Sequence, residues 1–441
     1  PRAAGRSIEE RARRFSVRIT VGDRAVDFPQ GTVWKDVAER FQGEYPREIL
    51  LAKVGPRLYE LHKRCPERDM EAEFITAGDK IGNMTYRRSA ILMMLKAFFN
   101  VCEGVEGFDV IVEYSIGGGI YCHLKGDLSV TPELLDTVKE TMRGYSERKI
   151  PIMKHSVPTD EAIRFFRRVG MHSKEHLFRY RMTSRVNLYS LGNFEDYFYG
   201  FMVMDCGYIR LFDLLPYNGG FVLLLPTETC PDALPPFRPM EKLFSVQKSS
   251  TDWAEKVGIA NIGMLNDMIV QGETDHLILM QEAIFEKTVG DIAAEISAQD
   301  RKAVLIAGPS SSGKTSFSKR LAIQLQALGK KPHPISVDNY FINRALAPRD
   351  ENGSYDFESI GSVDLPTFNR DMAALLRGES VELPRYNFFT GEREYKGDFR
   401  KLSRDDILVI DSLPEPPHVR IPPGGGEVPG LYLRAHAAEH R

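Results

Sequence analysis

The residues with the clearest chemistry form a phosphate-binding loop at 308–315. This segment reads Gly-Pro-Ser-Ser-Ser-Gly-Lys-Thr and fits the pattern G-x-x-x-x-G-K-[ST]. Glycines let backbone N–H groups turn toward a phosphate, and the helix that follows adds its positive dipole end. In this pattern the lysine, Lys314, contacts the β- and γ-phosphates, and the hydroxyl of Thr315 is a ligand for Mg²⁺. The predicted ATP-binding residues are Gly308, Pro309, Ser310, Ser311, Ser312, Gly313, Lys314, Thr315 and Ser316.

The segments on both sides of the loop predict the elements that hold it. Residues 303–307 form a short apolar run, which is typical of a buried parallel strand. After the loop, Phe317, Leu321 and Leu325 recur at helical spacing up to Gly329. A serine- and glycine-rich turn could match the pattern by chance, but the order strand, loop, helix favours nucleotide binding.

A carboxylate follows a second predicted strand. The strand is expected at 334–337, and Asp338 lies at its carboxyl end, where α/β sheets place active sites. A carboxylate there can accept the proton of a substrate hydroxyl and help to hold Mg²⁺. Position alone leaves this role and that of a helix N-cap equally open.

Length and composition indicate a protein of several domains. The 441 residues exceed what one hydrophobic core organises, so we expect about three domains. The net charge of −3 gives no general attraction to nucleic acid or membranes. No apolar run reaches about 18 residues, which argues against a membrane span. The five cysteines include no C-x-x-C pair, which favours free thiols in the cytoplasm over disulfides or a zinc site.

The first part of the chain resembles a TGS domain, the β-grasp module of threonyl-tRNA synthetases and some GTPases. The pattern predicts strand, strand, helix, strand, strand within about sixty residues. The resemblance implies a binding or regulatory role, not catalysis. It is carried by Phe-Pro-Gln-Gly-Thr at 28–32, Ala-Lys-Val at 52–54, Leu-Tyr-Glu-Leu at 58–61 and Phe-Ile-Thr at 74–76.

The next part resembles the editing domain of threonyl- and alanyl-tRNA synthetases. The matching segments are Tyr-Ser-Ile-Gly-Gly-Gly at 114–119, in which we expect a tight turn, Asp-Glu-Ala-Ile at 160–163 and Gly-Asn-Phe-Glu-Asp at 192–196. In that family, an H-x-x-x-H pair with a later Cys and His holds a metal or polarises a water. The corresponding residues cannot do this chemistry. They are Arg88, Leu92, Phe198 and Met202. We therefore expect a domain without editing activity, retained as a scaffold or as a sensor of RNA or a small molecule.

Residues 304–413 resemble the uridine kinase and phosphoribulokinase family. The matching segments are the loop at 308–315, Ser-Val-Asp-Asn-Tyr-Phe at 336–341, Tyr-Asp-Phe-Glu at 355–358, Pro-Arg-Tyr-Asn-Phe at 384–388 and Leu-Val-Ile-Asp at 408–411. The resemblance implies transfer of the ATP γ-phosphoryl group to the 5′-hydroxyl of a nucleoside such as uridine or cytidine. It makes Lys314 and Asp338 catalytic, and it assigns Mg²⁺ to Thr315 and Asp411. The substrate-binding residues that it implies are Asp338, Tyr340, Asp356, Tyr386, Phe388 and Arg393.

The sequence departs from this family at two places. The histidine with which uridine and cytidine kinases recognise the base aligns with Gly391, so the nucleoside stays open. Relatives continue past the acidic strand with two more strands and a lid that bears arginines, whereas 414–441 is rich in proline and glycine. We expect a truncated kinase domain whose first strand lacks a neighbour on one side. The alternative function is a nucleotide- or RNA-binding regulatory protein with an inactive kinase domain.

The predicted fold class is multidomain, α+β and α/β. Cytoplasmic location is expected, no membrane partner is expected, and the oligomeric state stays open. The predicted parts are a basic segment at 1–14, a TGS-like domain at 15–78, an editing-like domain at 79–240, a helical linker at 241–300, a partial P-loop kinase domain at 301–413 and a disordered tail at 414–441.

Overall fold

The computed structural model describes residues 16–105, 107–308, 312–349, 353–356, 359–413 and 430–434. The chain divides into two compact units, Pro1–Gln271 and Gly272–Arg441. No helix within the described ranges is long and apolar enough to cross a membrane.

The first unit begins with two small sheets that enclose one helix. The helix Trp34–Phe41 buries Trp34, Val37 and Phe41 in a common hydrophobic core with these sheets. The predicted order of strands and helix is observed, with two further short strands, Arg57–Glu60 and Met70–Glu71. One sheet contains Arg24–Pro29, Ser16–Val21 and Met70–Glu71, and the other contains Arg57–Glu60, Ile49–Val54 and Glu73–Thr76.

The rest of the first unit is built around the helix Lys80–Val101. Residues such as Leu92, Met93 and Phe98 on this helix are fully buried, and the core that they form also takes in Leu50 and Leu51 from the TGS-like part. One antiparallel sheet has the order Asp213–Tyr217, Gly220–Leu224, Gly119–Lys125 and Asp109–Ile116, and the other has the order Phe194–Tyr197, Arg185–Leu191 and Ile152–Pro158. The other helices before residue 240 are Pro132–Glu147, Thr159–Arg168 and His172–Arg179.

Glycines 117 and 118 make the predicted tight turn. They connect the antiparallel strands Asp109–Ile116 and Gly119–Lys125. Both have positive φ values, 57° and 93°, in the region that favours glycine. A Cβ at Gly117 would lie 2.1 Å from the carbonyl oxygen of Arg238, so no other residue fits there without movement of the backbone.

The predicted helical linker consists of three helices. Glu241–Lys256 and Ile262–Gln271 close the first unit, and Thr274–Ala298 opens the second unit. The C-terminal half of Thr274–Ala298 buries Val289, Ala293 and Ile296 in a core that it shares with the following sheet.

The second unit is organised by a four-stranded parallel sheet. Its strand order is Lys331–Ser336, Asp406–Leu413, Ala303–Ala307 and Gly430–Arg434. Side chains of a strand alternate between its two faces, so the two faces of Ala303–Ala307 pack into two different hydrophobic cores. Leu305 packs in the core of the helix Leu365–Leu376, whereas Val304 and Ile306 pack in the core of the helix Lys314–Ala327. An antiparallel hairpin, Val381–Asn387 with Glu392–Arg400, completes this unit.

One sequence-based expectation about the sheet is wrong. Gly430–Arg434 pairs in parallel with Ala303–Ala307, so the first strand of the kinase region has neighbours on both sides. The predicted disordered tail therefore contains a strand, because Leu-Tyr-Leu at 431–433 is a β-favouring run inside the glycine- and proline-rich sequence. The rest of 414–441 lies outside the described residues.

Candidate active site

Three parallel strands end at the same edge of the sheet. Ser336 lies opposite Asp411, and Ala307 lies opposite Leu413 in the strand pairing. The carboxyl ends of parallel strands are where α/β proteins bind their ligands. The topology thus brings together Gly308 at the start of the phosphate loop, Asp411, and Asp338, which follows Ser336.

The phosphate loop leads directly into the helix Lys314–Ala327. Gly313 lies just before this helix in the left-handed conformation, with φ of 80°. Lys314 Nζ donates a hydrogen bond to the carbonyl oxygen of Gly308 at 2.8 Å, which joins the two ends of the loop. Thr315 and Ser316 are exposed at the N-terminus of the helix, and Ser312 is half-buried. Pro309, Ser310 and Ser311 lie outside the described residues.

Ser318, which sequence reasoning did not single out, positions Asp411. The Oγ atom of Ser318 lies 3.1 Å from Asp411 Oδ2 and 3.1 Å from the carbonyl oxygen of Thr315. Both Ser318 and Asp411 are buried. The contact holds the carboxylate beside the first turn of the loop helix.

The donor set at this edge fits a magnesium ion. The hydroxyl of Thr315 and the carboxylate of Asp411 are hard oxygen ligands, which Mg²⁺ prefers. The described residues include no group of three or more His, Cys, Asp or Glu side chains that could hold a metal. Mg²⁺ in phosphoryl-transfer sites needs only one or two carboxylates, with substrate phosphates and waters completing its shell.

Asp338 is the second residue of a short 3₁₀ helix, Val337–Tyr340, and not the N-cap of a helix. Its side chain is half-buried. The next residue, Asn339, accepts a hydrogen bond at its Oδ1 from the backbone N–H of Tyr386 at 3.3 Å. The segment that carries Asp338 is thereby attached to the hairpin.

Tyr340, which the sequence assigned to the substrate, lies in the core. Its ring packs edge-to-face on Phe368 with centroids 5.1 Å apart, and only 1% of the residue is exposed. Burial, together with the nearby Asp371 carboxylate, raises the pKa of its hydroxyl. In the structure Tyr340 supports the Asp338 segment by packing, and its role on the substrate stays a prediction.

Asp356 is held by backbone contacts. Its backbone N–H donates to the carbonyl oxygen of Pro348 at 2.9 Å, and its Oδ1 accepts from the backbone N–H of Ser359 at 3.1 Å. The hydroxyl of Ser362 donates to the carbonyl oxygen of Asp356 at 2.6 Å. The side chain is half-buried, and residues 357–358 of the same motif lie outside the described residues. Its role on the ribose stays a prediction.

Tyr386 and Phe388 form an aromatic cluster with Phe341. The rings of Tyr386 and Phe388 are 5.1 Å apart, and Phe341 lies 5.5 Å from Tyr386 and 6.3 Å from Phe388, all edge-to-face. Tyr386 is buried, whereas 58% of Phe388 is exposed. Phe341 follows Asp338 by three residues, so the cluster adjoins the candidate catalytic carboxylate in sequence.

Arg393 pairs with a helix cap. Its Nη2 donates to Asp364 Oδ2 at 2.9 Å, and Asp364 caps the helix Leu365–Leu376 by accepting from the backbone N–H of Thr367. Burial alone would raise the pKa of Asp364, but the bonds from Thr367 and Arg393 hold it below its ordinary value.

Arg344 was missed by sequence reasoning. Its backbone N–H donates to the carbonyl oxygen of Gly391 at 2.8 Å, and its Nη2 donates to the carbonyl oxygen of Phe388. The departure from the family at Gly391 was the signal that could have led to it.

The editing-like region has a different character. Leu92 and Met202 are buried, and Arg88 Nη1 donates to the carbonyl oxygen of Phe201 at 3.3 Å. Beside Met202 lies Glu60, a buried carboxylate from the TGS-like part that the sequence analysis had not singled out. It accepts from Tyr189 Oη at 2.5 Å and from the backbone N–H of Met202 at 3.1 Å, and it pairs with Lys154 Nζ at 3.3 Å.

Comparisons with known proteins agree with two parts of this picture. Residues 303–415 match the model of the Phosphoribulokinase / Uridine kinase family. The chain is 28% identical over 209 residues to a threonine–tRNA ligase of Bacillus velezensis and 29% identical over 209 residues to threonine–tRNA ligase 1 of Bacillus subtilis. Each match covers 46% of this chain and 32% of the relative, so the chain spans about a third of the length of these relatives.

A solved structure described as a possible uridine kinase from Bacillus stearothermophilus is 22% identical. The match covers 27% of this chain and 65% of that chain, with a TM-score of 0.23. The multidomain prediction is confirmed: tRNA-ligase-like domains precede a P-loop kinase domain with a parallel sheet.

Proposed function

Because residues 303–415 form a domain of the Phosphoribulokinase / Uridine kinase family, we propose that the protein is an ATP-dependent nucleoside kinase. It would transfer the γ-phosphoryl group to the 5′-hydroxyl of a nucleoside. The observation that supports this most is the shared sheet edge, which collects the phosphate loop, Asp411 and Asp338. Phosphoryl transfer needs mainly positioning and charge stabilisation, and both can be provided at one such edge.

On the phosphate side, the roles follow from the loop helix. When ATP binds, Lys314 would release the carbonyl oxygen of Gly308 and contact the β- and γ-phosphates instead. Thr315 and Asp411 would hold Mg²⁺, which neutralises charge that develops on the phosphate oxygens. Ser318 keeps the Asp411 carboxylate in place for this task.

On the nucleoside side, Asp338 would accept the proton of the attacking 5′-hydroxyl. Asp356 would accept hydrogen bonds from the two ribose hydroxyls, because a carboxylate has two acceptor oxygens. Phe388, exposed at the edge of the aromatic cluster, would stack on the base, with Tyr386 fixing its orientation.

The test is ATP-dependent phosphorylation of a panel of nucleosides by the full chain. The Lys314→Ala variant should lose turnover at least about a hundredfold, because charge stabilisation of the phosphates is a large catalytic contribution. Lys319→Ala, an exposed lysine on the same helix, is the matched control and should keep its activity. Turnover that survives in Lys314→Ala would refute the proposal. ATP binding with no nucleoside phosphorylated would instead support a nucleotide-binding regulatory protein with an inactive kinase domain.

For the N-terminal domains we propose binding of RNA or a small molecule in place of editing. The support is that Leu92 and Met202, at two of the ligand positions of the editing family, are buried apolar residues. The domain limits at 15–78, 79–240, 241–300 and 301–413 and the cytoplasmic location are part of this proposal. Binding of labelled tRNA without hydrolysis of mischarged tRNA is the expected result, and hydrolysis would refute it.

A further inference from the structure

Three buried hydrogen-bond donors near the aromatic cluster have no partner among the described residues. They are Arg344 Nε, Arg393 Nη1 and the hydroxyl of Tyr386. A buried donor without an acceptor is destabilising, and native proteins satisfy the large majority of such groups. Arginine can only donate, so a ligand that satisfies these groups must bring acceptor atoms.

Arg344 occupies the space beside Gly391. Gly391 has φ of 78°, and a Cβ built on it would lie 2.8 Å from Arg344 Cβ and 3.0 Å from Arg344 Nε. A side chain at position 391 and the observed position of Arg344 therefore exclude each other. Position 391 is where the resemblance to uridine and cytidine kinases places the histidine that recognises the base. Arg344 thus stands where that side chain would be.

Arg393 and Tyr386 lie on one face of the hairpin. They are directly opposite each other in the register of Val381–Asn387 with Glu392–Arg400, and opposed residues of an antiparallel pair share a face. Arg393 is anchored through Nη2 by Asp364, which leaves Nη1 as the donor without a partner. The bond to Asp364 therefore fixes the position of the Arg393 guanidinium group before any ligand binds.

Three side-chain acceptors near these donors, those of Asn339, Asp364 and Asn387, are already engaged. Asn339 Oδ1 accepts from the backbone N–H of Tyr386, and the Asp364 carboxylate accepts from Arg393 and Thr367. Asn387 Oδ1 accepts from the backbone N–H groups of Phe389 at 3.0 Å and Thr390 at 3.3 Å. These three side chains therefore leave no oxygen that is seen to accept from Arg344 Nε, Arg393 Nη1 or the Tyr386 hydroxyl.

We infer that this site selects nucleosides with a keto base, uridine or inosine, over their amino counterparts, cytidine and adenosine, and that Arg344 is the residue that reads the difference. The O4 atom of uracil and the O6 atom of hypoxanthine are acceptors, whereas the exocyclic amino groups of cytosine and adenine are donors. Two donors facing each other leave both unsatisfied. The inference rests on the proposed kinase function, because it specifies the base of the nucleoside that the kinase would phosphorylate.

The experiment measures kcat/KM of the full chain for the pairs uridine and cytidine, and inosine and adenosine. The wild type should prefer the keto member of at least one pair by about tenfold or more, in line with the discrimination that a well-placed arginine gives between bases. Arg344→Met keeps the length of the side chain and removes its donors. It should lower kcat/KM for the keto nucleoside by about tenfold and leave the amino nucleoside unchanged.

Two further variants separate recognition from folding. Arg385→Met changes an exposed arginine next to Tyr386 on the strand Val381–Asn387 and should keep the wild-type preference. Arg344→Lys keeps the charge but lacks the Nε donor, so it should fold like the wild type in thermal melting and still lose most of the preference.

The possible failures are distinguishable. Equal turnover of keto and amino nucleosides that depends on Lys314 would overturn the inference and leave the kinase intact. An equal loss for both members of a pair in Arg344→Met would show that Arg344 only supports the structure, which also overturns it. Absence of nucleoside phosphorylation in the wild type would overturn the proposed function together with the inference.

Discussion

The sheet edge of the second unit and the editing-like region of the first unit place their polar residues in opposite ways. At the sheet edge, Thr315 is exposed and Asp338 is half-buried. Glu60 of the TGS-like part is buried instead, and its partners Tyr189 and Lys154 are side chains of the editing-like region. Both regions resemble enzyme domains in sequence, but the carboxylate of Glu60 is bonded by protein groups, whereas Thr315 and Asp338 are at least partly open to solvent. Likeness of fold can therefore persist where the chemistry of the site does not.

The largest effect should come from Asp338. We expect Asp338→Asn to lower kcat about 100- to 10,000-fold, because an amide cannot act as the general base for the substrate hydroxyl. ATP affinity should be unchanged, since the phosphate loop is intact, and steady-state kinetics with nucleotide-binding titrations measure both quantities. Asp405→Asn, at an exposed aspartate of the same unit, is the control. A kcat equal to that of the wild type in Asp338→Asn would show that Asp338 is not the general base. The sheet edge would then lack the catalytic carboxylate that sets it apart from the editing-like region.

A change at Glu60 should affect stability and leave catalysis unchanged. Glu60→Ala leaves Lys154, with only 15% of its side chain exposed, without its carboxylate partner. Breaking such a buried pair lowers the free energy of unfolding by about 3–5 kcal/mol, which urea denaturation of the first unit measures. Kinase turnover should be preserved, because the candidate site lies in the second unit. Glu67→Ala, at an exposed glutamate, is the control, and a loss no greater than in this control would contradict the structural role of Glu60.

The smallest effect should be a pH-dependent one at Glu175. Hydrogen bonds from Arg179 and Arg167 lower the pKa of this carboxyl group to about 2. Because the folded pKa is below the unfolded value of about 4.3, the carboxylate stabilises the fold above that pH, and this contribution is lost as pH falls toward 2. Glu175→Gln should therefore lower the Tm at pH 7 and make no difference below about pH 2.

The effect at Glu175 is limited because the arginine partners are themselves partly exposed to solvent. Thermal melting at several pH values measures it, with Glu161→Gln, at an exposed glutamate of the preceding helix, as the control. A Tm difference that stays the same from pH 7 to pH 2 would show that the charge of Glu175 contributes nothing.

Local sequence predicted the elements whose pattern is strong on its own. The apolar run at 303–307 and the helical spacing after Lys314 gave the central strand and the loop helix, which the structure has at Ala303–Ala307 and Lys314–Ala327. In the helix Lys80–Val101, the apolar pattern is continuous only in the second half. The first half contains polar residues, so its sequence does not predict a buried helix. The burial of these residues depends on distant partners, as when Asn83 donates to the carbonyl oxygen of Pro226.

The remaining features depend on contacts that spacing does not reveal. Glu60 meets Tyr189 and Met202, which are 129 and 142 residues away in sequence. The same holds for Arg344, whose importance appears only once Gly391 lies beside it in space. Residue types at the sheet edge could be predicted from motifs, whereas the side chains that hold them, such as Ser318, required the three-dimensional structure.

The pairing of Ala303–Ala307 also determines when this region can fold. Its neighbours in the sheet are Asp406–Leu413 and Gly430–Arg434, both about 100 residues or more further along the chain. At a synthesis rate of about 5–20 residues per second, a ribosome needs at least about 5–20 s to produce them. During this interval Val304, Leu305 and Ile306, all buried in the finished sheet, have no strand to pair with. The strand that precedes the phosphate loop is therefore a segment that chaperones can bind during translation.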